Sequence, residues 1–172
     1  MSGGHGRDRM DGQHDNDIVF GGSGNDFLHG NHGEDKLFGN AGRDTLVGGE
    51  HDDFMRGGSG ADRMYGGSGA DRMYGGSGAD RMYGGSGADR MYGGYNDDTM
   101  EGGYGADRMY GGHGADRMFA TEDFPSSSSY SSPGEYWTAS MPNDQALDKL
   151  WGGKNLDWLF GSYGPKDQLD PN

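Results

Sequence analysis

The 172-residue chain contains no cysteine, which excludes disulfides and thiolate metal sites as sources of stability. No run approaches 18 apolar residues, and the start, Met1-Ser2-Gly3-Gly4-His5, has neither a charged n-region nor an apolar h-region. Neither a membrane span nor a cleavable leader is expected. That leaves three possibilities open: a fragment, a cytosolic protein, or one exported without an N-terminal signal. Positive charge is scarce, with 14 Lys and Arg against 28 Asp and Glu, and only 30% of the residues are hydrophobic. Catalytic sets are missing as well: no H-E-x-x-H pair, no G-x-S-x-G elbow and no Cys nucleophile. The serines at 126–129 lie in a low-complexity stretch without a His-plus-carboxylate setting, so an enzyme is not expected. Glycine, in contrast, contributes 38 residues, and by composition alone so glycine-rich and acidic a chain would be disordered.

The periodicity argues otherwise. From Gly3 to Phe119 a nine-residue unit, G-G-x-G-x-D-x-U-x with U apolar, recurs thirteen times without an insertion, and the four copies at 57–92 are the identical GGSGADRMY. Position 6 is always Asp: Asp8, Asp17, Asp26, Asp35, Asp44, Asp53, Asp62, Asp71, Asp80, Asp89, Asp98, Asp107 and Asp116. Position 8 is always apolar, from Met10 and Val19 through Leu28, Leu37 and Leu46 to the methionines Met55–Met118. A period held this long implies a solenoid in which each unit is one step stacked on its neighbours.

Within the unit, positions 1 to 6 carry glycines at fixed offsets and suit a turn with positive φ. Positions 7 to 9 alternate as a short, half-buried strand does. Where glycine is absent at position 4 the chain uses Asp15, His51 and Asn96, residue types that tolerate positive φ. An all-β parallel solenoid over 3–119 follows, its position-8 side chains forming a single-file core. The register breaks at 120–142, which is Ser/Pro-rich and reads as a loop. It returns in degraded form over 143–172, most clearly at 152–160. There Asp148 and Leu150, then Asp157 and Leu159, keep positions 6 and 8, and Trp137, Trp151, Trp158 and Phe160 offer apolar cover for an open end.

The turn chemistry suits a hard divalent cation. Calcium takes six to eight oxygen ligands, readily from carboxylates and backbone carbonyls, and glycines leave those carbonyls uncovered. Stacking would bring Asp62 near Asp80 and Asp71 near Asp89, a like-charge ladder that needs a cation between its rungs. The unit resembles the RTX (repeats-in-toxin) calcium-binding nonapeptide, fully over 3–119 and partly over 152–160. The resemblance implies a right-handed parallel β-roll with two units per turn and calcium between the turns of units n and n+2. The ligands would be the thirteen aspartates and turn carbonyls such as Gly57, Gly58 and Gly60, with their counterparts Gly66, Gly67, Gly69, Gly75, Gly76, Gly78, Gly84, Gly85 and Gly87. Thirteen units bridged in this way hold about 11 ions. The softest sites are expected near His51 and at the N-terminal end, where Gln13, Asn31 and Asn40 replace the position-2 glycine. Residues 3–119 hold 11 Lys and Arg against 20 Asp and Glu, a net of −9, and eleven divalent ions would bring this to about +13.

Alternate units belong to opposite sheets in this arrangement. One outer face would carry Arg9, Phe27, Thr45, Arg63, Arg81, Thr99 and Arg117 at position 7. The other would carry Ile18, Lys36, Phe54, Arg72, Arg90 and Arg108, with Phe20, Phe38, Arg56, Tyr74, Tyr92 and Tyr110 at position 9. The six histidines fall mostly at exposed turn positions, and no transition-metal site is expected from them. The leading expectation is a secreted, calcium-folded structural module, extracellular or at the cell surface. RTX proteins leave the cell unfolded by type I secretion, although Leu169-Asp170-Pro171-Asn172 does not match the usual C-terminal signal. The alternatives are a subunit that assembles with itself into a filament, matrix or surface layer, and an adhesin that holds an anionic polymer on its Arg/Tyr faces. No specific nucleic-acid partner is expected.

Overall fold

The computed structural model describes residues 1–119, 149–153, 158–160 and 168–170, the last three ranges as strand backbone only. The described residues form a parallel β-roll of two facing sheets and contain no helix, hence none long and apolar enough to cross a membrane. The first sheet contains β1 (Ser2–His5), β3 (Ile18–Ser23), β5 (Lys36–Ala41), β7 (Phe54–Ser59), β9 (Arg72–Ser77), β11 (Arg90–Tyr95), β13 (Arg108–His113), β15 (Lys149–Gly153) and β17 (Gln168–Asp170). The second contains β2 (Arg9–Gln13), β4 (Phe27–His32), β6 (Thr45–Glu50), β8 (Arg63–Ser68), β10 (Arg81–Ser86), β12 (Thr99–Tyr104), β14 (Arg117–Phe119) and β16 (Trp158–Phe160). Each strand pairs in parallel with the next but one, so two repeats make one turn, and equivalent positions stack in register, as Met64, Met82 and Met100 do.

The strands are longer than the repeat pattern suggests. Most span six residues, positions 7 to 9 of one unit and 1 to 3 of the next, which leaves only positions 4 to 6 as the turn. The reason is hydrogen-bond satisfaction. Buried backbone groups need partners, and in a solenoid the residue 18 positions away supplies them even through the glycines, as in the Gly58↔Gly76 pairing. A position-2 residue at positive φ bends the strand without ending its ladder.

Alternation then fixes what faces inward. Successive strand residues point to opposite sides, so positions 8 and 1 share the interior. Position 8 supplies the apolar core from Met10 to Met118, buried throughout. Position 1 is glycine and contributes no side chain, so each strand from β2 to β14 puts a single apolar residue into the roll. The position-7 and position-9 ladders expected from the sequence are the ones formed.

Beyond Phe119, β15 pairs with β13, β16 with β14, and β17 with β15. The loop expected over 120–142 lies outside the described residues, as do residues 154–157 and Trp137. Of Trp151, Trp158 and Phe160 only the backbone is described, so their expected covering role falls outside as well.

A core this narrow makes each position-8 residue costly to truncate. In denaturant titrations with calcium present, Met73→Ala is expected to lose about 2–5 kcal/mol. Tyr65→Ala, at an outward position, should stay within about 0.5 kcal/mol.

Candidate metal centre

The repeat aspartates form two columns, one along each edge of the roll, because odd and even units turn on opposite sides. Each column is stitched by its own carboxylates. The backbone N–H of Asp26 donates to Oδ1 of Asp44 at 2.8 Å, Asp44 to Asp62, Asp62 to Asp80 and Asp80 to Asp98. On the opposite edge Asp17, Asp35, Asp53 and Asp71 donate in the same way to Asp35, Asp53, Asp71 and Asp89. The carbonyl of each aspartate is also engaged: Asp62, for example, accepts from the N–H of Arg81 at 2.9 Å. One carboxylate oxygen, the backbone N–H and the carbonyl are therefore all committed to stacking.

The second oxygen is not. Oδ2 of Asp8 and of every repeat aspartate from Asp26 to Asp98 is buried and accepts no hydrogen bond. Leaving such an oxygen without a partner is unfavourable, all the more when it carries charge. It points at the position-1 glycine of its own repeat. A Cβ built on Gly21 would lie 2.6 Å from Oδ2 of Asp26 and 2.8 Å from the carbonyl oxygen of Gly39, the position-1 glycine one turn on. The same convergence of a carboxylate and a carbonyl from the next turn recurs at Gly57, Gly66, Gly75 and Gly84. Position 1 is thus glycine for space and not for φ, a reason that the motif alone does not reveal.

Positions 2 and 4 are glycine for the other reason. Gly58 has φ 116° and Gly60 φ 120°, and a Cβ on Gly60 would run into the carbonyl oxygen of Gly42 in the turn below. Gly67, Gly76 and Gly85 at position 2, and Gly69, Gly78 and Gly87 at position 4, share the positive φ. The substituted turns keep its sign: Asp15, His51 and Asn96 at position 4, and Gln13, Asn31 and Asn40 at position 2, lie at 73–80°. These are true left-handed values, below every positive φ among the glycines.

Electrostatics leaves the columns unsatisfied at neutral pH. Burial, reinforced by Asp71 and Asp35 on either side, pushes Asp53 up to about 7 against the opposing effect of the Asp35 N–H. Burial does the same to Asp62 and Asp71, both to about 7, and to Asp98, to about 8. Asp80 and Asp89 rise to about 6, and Asp35 and Asp44 are also raised, burial being the main cause throughout. Two species relieve such a column, a proton or a cation. Among the described residues no three His, Asp or Glu side chains converge, so a cation in these turns takes most of its ligands from backbone carbonyls. Oxygen-only donors, dominated by carbonyls with a carboxylate contribution, suit calcium and not a softer metal. The residues present fit that ion: the orphaned Oδ2 of the aspartates from Asp26 to Asp98 and the carbonyls beside the glycines would hold it, and its charge would neutralise the column.

Two expectations follow. Gly75→Ala places a methyl group against Asp80 Oδ2 and the Gly93 carbonyl and should destabilise the calcium-loaded roll by about 1–3 kcal/mol, with Ser77→Ala nearly neutral, as read by thermal melts. The pH response in chelator has a definite sign. Aspartates near 3.8 when unfolded and near 6–8 when folded make the folded state bind more protons between those limits. The metal-free roll therefore loses stability as pH rises from about 4 to 8, and strand circular dichroism in chelator should be stronger at pH 5 than at pH 8.

No curated protein matches the chain. The family model of the RTX calcium-binding nonapeptide repeat does, at residues 1–28, 29–64, 56–91, 65–100 and 92–123. With invariant aspartates turned into glycine-walled turns, and this match over most of its length, the chain belongs to the RTX calcium-binding repeat family.

Proposed function

We propose that this chain is an extracellular calcium-responsive structural module, exported unfolded where calcium is low and folded into the roll where calcium is abundant. The observation that carries this reading is the buried, unpartnered Oδ2 in turn after turn. A column of such oxygens opposes folding until a cation enters, and a ligand that binds only the folded state contributes its binding energy to folding. Carbonyl-rich sites on extracellular modules typically have Kd values of about 10⁻⁴–10⁻³ M, between cytosolic and extracellular calcium. The ligands in this reading are the thirteen aspartates and the position-1, -2 and -4 carbonyls, in about eleven sites between the turns of units n and n+2. The turns containing Gln13, Asp15, Asn31, Asn40, His51 and Asn96 are the weaker ones, because their φ values depart from those of the glycines.

A second reading is end-to-end assembly. It is favoured by the edge position of β1 and β2, which pair on one side only. Their outer N–H and C=O groups form a surface that a second copy, or a further rung of the same chain, would complete.

Circular dichroism with calcium and then with excess chelator tests the first reading, and strand signal that persists in chelator at pH 8 overturns it. Equilibrium dialysis should count about eleven ions per chain. Asp71→Asn separates charge from shape: it should stabilise the metal-free roll by relieving repulsion with Asp53 and Asp89, while lowering the calcium count by one or two. Sedimentation in calcium tests assembly through a rise in mass.

A further inference from the structure

The two outer faces differ. On the first sheet Phe20, Phe38, Phe54, Tyr74, Tyr92 and Tyr110 form an unbroken aromatic column along the roll axis, with ring centroids 4.9, 5.7, 5.5, 4.9 and 4.7 Å apart. The column bridges the rung where Arg56 holds position 9 because Phe54, at position 7, leans into the line. Tyr74, Tyr92 and Tyr110 are stacked within 3° of parallel, so their faces cover one another while each residue stays partly exposed. Beside them run Arg72, Arg90 and Arg108 on successive rungs, with Lys36 further along the same row. None of these four cations is in an ion pair among the described residues, whose one such contact joins His32 to Glu50. The second sheet is interrupted: Thr45 and Thr99 break its position-7 row, and Asp11 and Glu101 bring negative charge into its position-9 row.

We infer that the outer face of the first sheet binds an extended, carboxylate-bearing polysaccharide laid along the roll axis. Three features select this ligand. The rows repeat at the 4.7–4.9 Å stacking distance of the tyrosines, close to the length of one sugar unit in an extended chain, so a linear polymer meets the same groups again and again. Guanidinium forks pair with carboxylates through two parallel hydrogen bonds, and a row of tyrosine hydroxyls answers sugar hydroxyls. Because the ring faces are already covered by one another, they offer no platform for nucleobases, which disfavours single-stranded nucleic acid despite the positive row. The inference rests on the calcium reading in one respect. The bare chain carries a net charge of −14 and repels polyanions, whereas ions filling the turns reverse the charge of the repeat region and leave the cation row unopposed.

The test uses the full chain at saturating calcium with hyaluronate oligosaccharides in calorimetric titration. Neutral dextran and a single-stranded oligonucleotide of matched charge serve as the comparison ligands. Binding of hyaluronate that weakens with salt is expected. Combined R72Q, R90Q and R108Q should weaken it at least tenfold, and combined R63Q, R81Q and R117Q on the second sheet less than twofold. If the triple variant fails to give the normal strand signal in calcium, R90Q and Tyr92→Phe alone, each expected to weaken binding severalfold, take its place. Equal losses from the two faces, no hyaluronate binding, or equal or tighter binding of dextran or the oligonucleotide would overturn the assignment. Strand signal with and without calcium is recorded separately. A normal calcium response without hyaluronate binding sinks only this inference, while an absent response sinks the calcium reading itself.

Discussion

In the turns from Asp26 to Asp98 a carboxylate is bent inward over a glycine, one oxygen tied to the backbone of the turn below and the other left with no donor. The first oxygen makes the stacking possible. The second makes it conditional, since a buried unpaired charge is among the least favourable groups a fold can hold. Whatever neutralises the column relieves that cost. Protons do so below the raised aspartate pKa values, which run from about 6 to about 8. Above those values a divalent cation is the remaining candidate, and the oxygen-only surroundings favour calcium.

Much of the nonapeptide can be traced to that arrangement. Position 1 must be glycine because the aspartate and the next turn's carbonyl occupy the place of a side chain, and positions 2 and 4 must reach positive φ so that successive turns nest. Position 8 fills the only inward place left, which is why the core is a single file with no second layer to share the load. Such a core is weak for a chain of this length, and glycine adds to the entropy that ordering must overcome. Without the ions the same geometry that specifies the turn works against it.

The distribution of charge follows as well. The position-6 acids are drawn into the turns, while most of the cations stand on the outer faces, so cations held in the turns would offset the acids and leave the outer cations dominant. The faces then diverge through a few rungs. Phe54 and Arg56 keep one aromatic column continuous, whereas Thr45, Thr99 and Glu101 break up the opposite face.

The sequence by itself determined the solenoid and the core from Met10 to Met118, because a fixed nine-residue period stacks like residues on like, while the two-sheet alternation and the outer ladders were implied by the resemblance to the RTX repeat. It also marked the aspartates, and it identified Asp15, His51 and Asn96 as residues that would accept positive φ. What it could not disclose depends on partners 18 residues away. The strands run through positions 1 to 3 because a neighbouring turn satisfies their backbone groups. The two oxygens of each aspartate divide their tasks because only one of them faces a donor. Position 1 is glycine because a carboxylate leans over it, and Phe54 joins an aromatic column whose own rung holds Arg56. Each of these is decided by distances between turns, which only the tertiary structure sets.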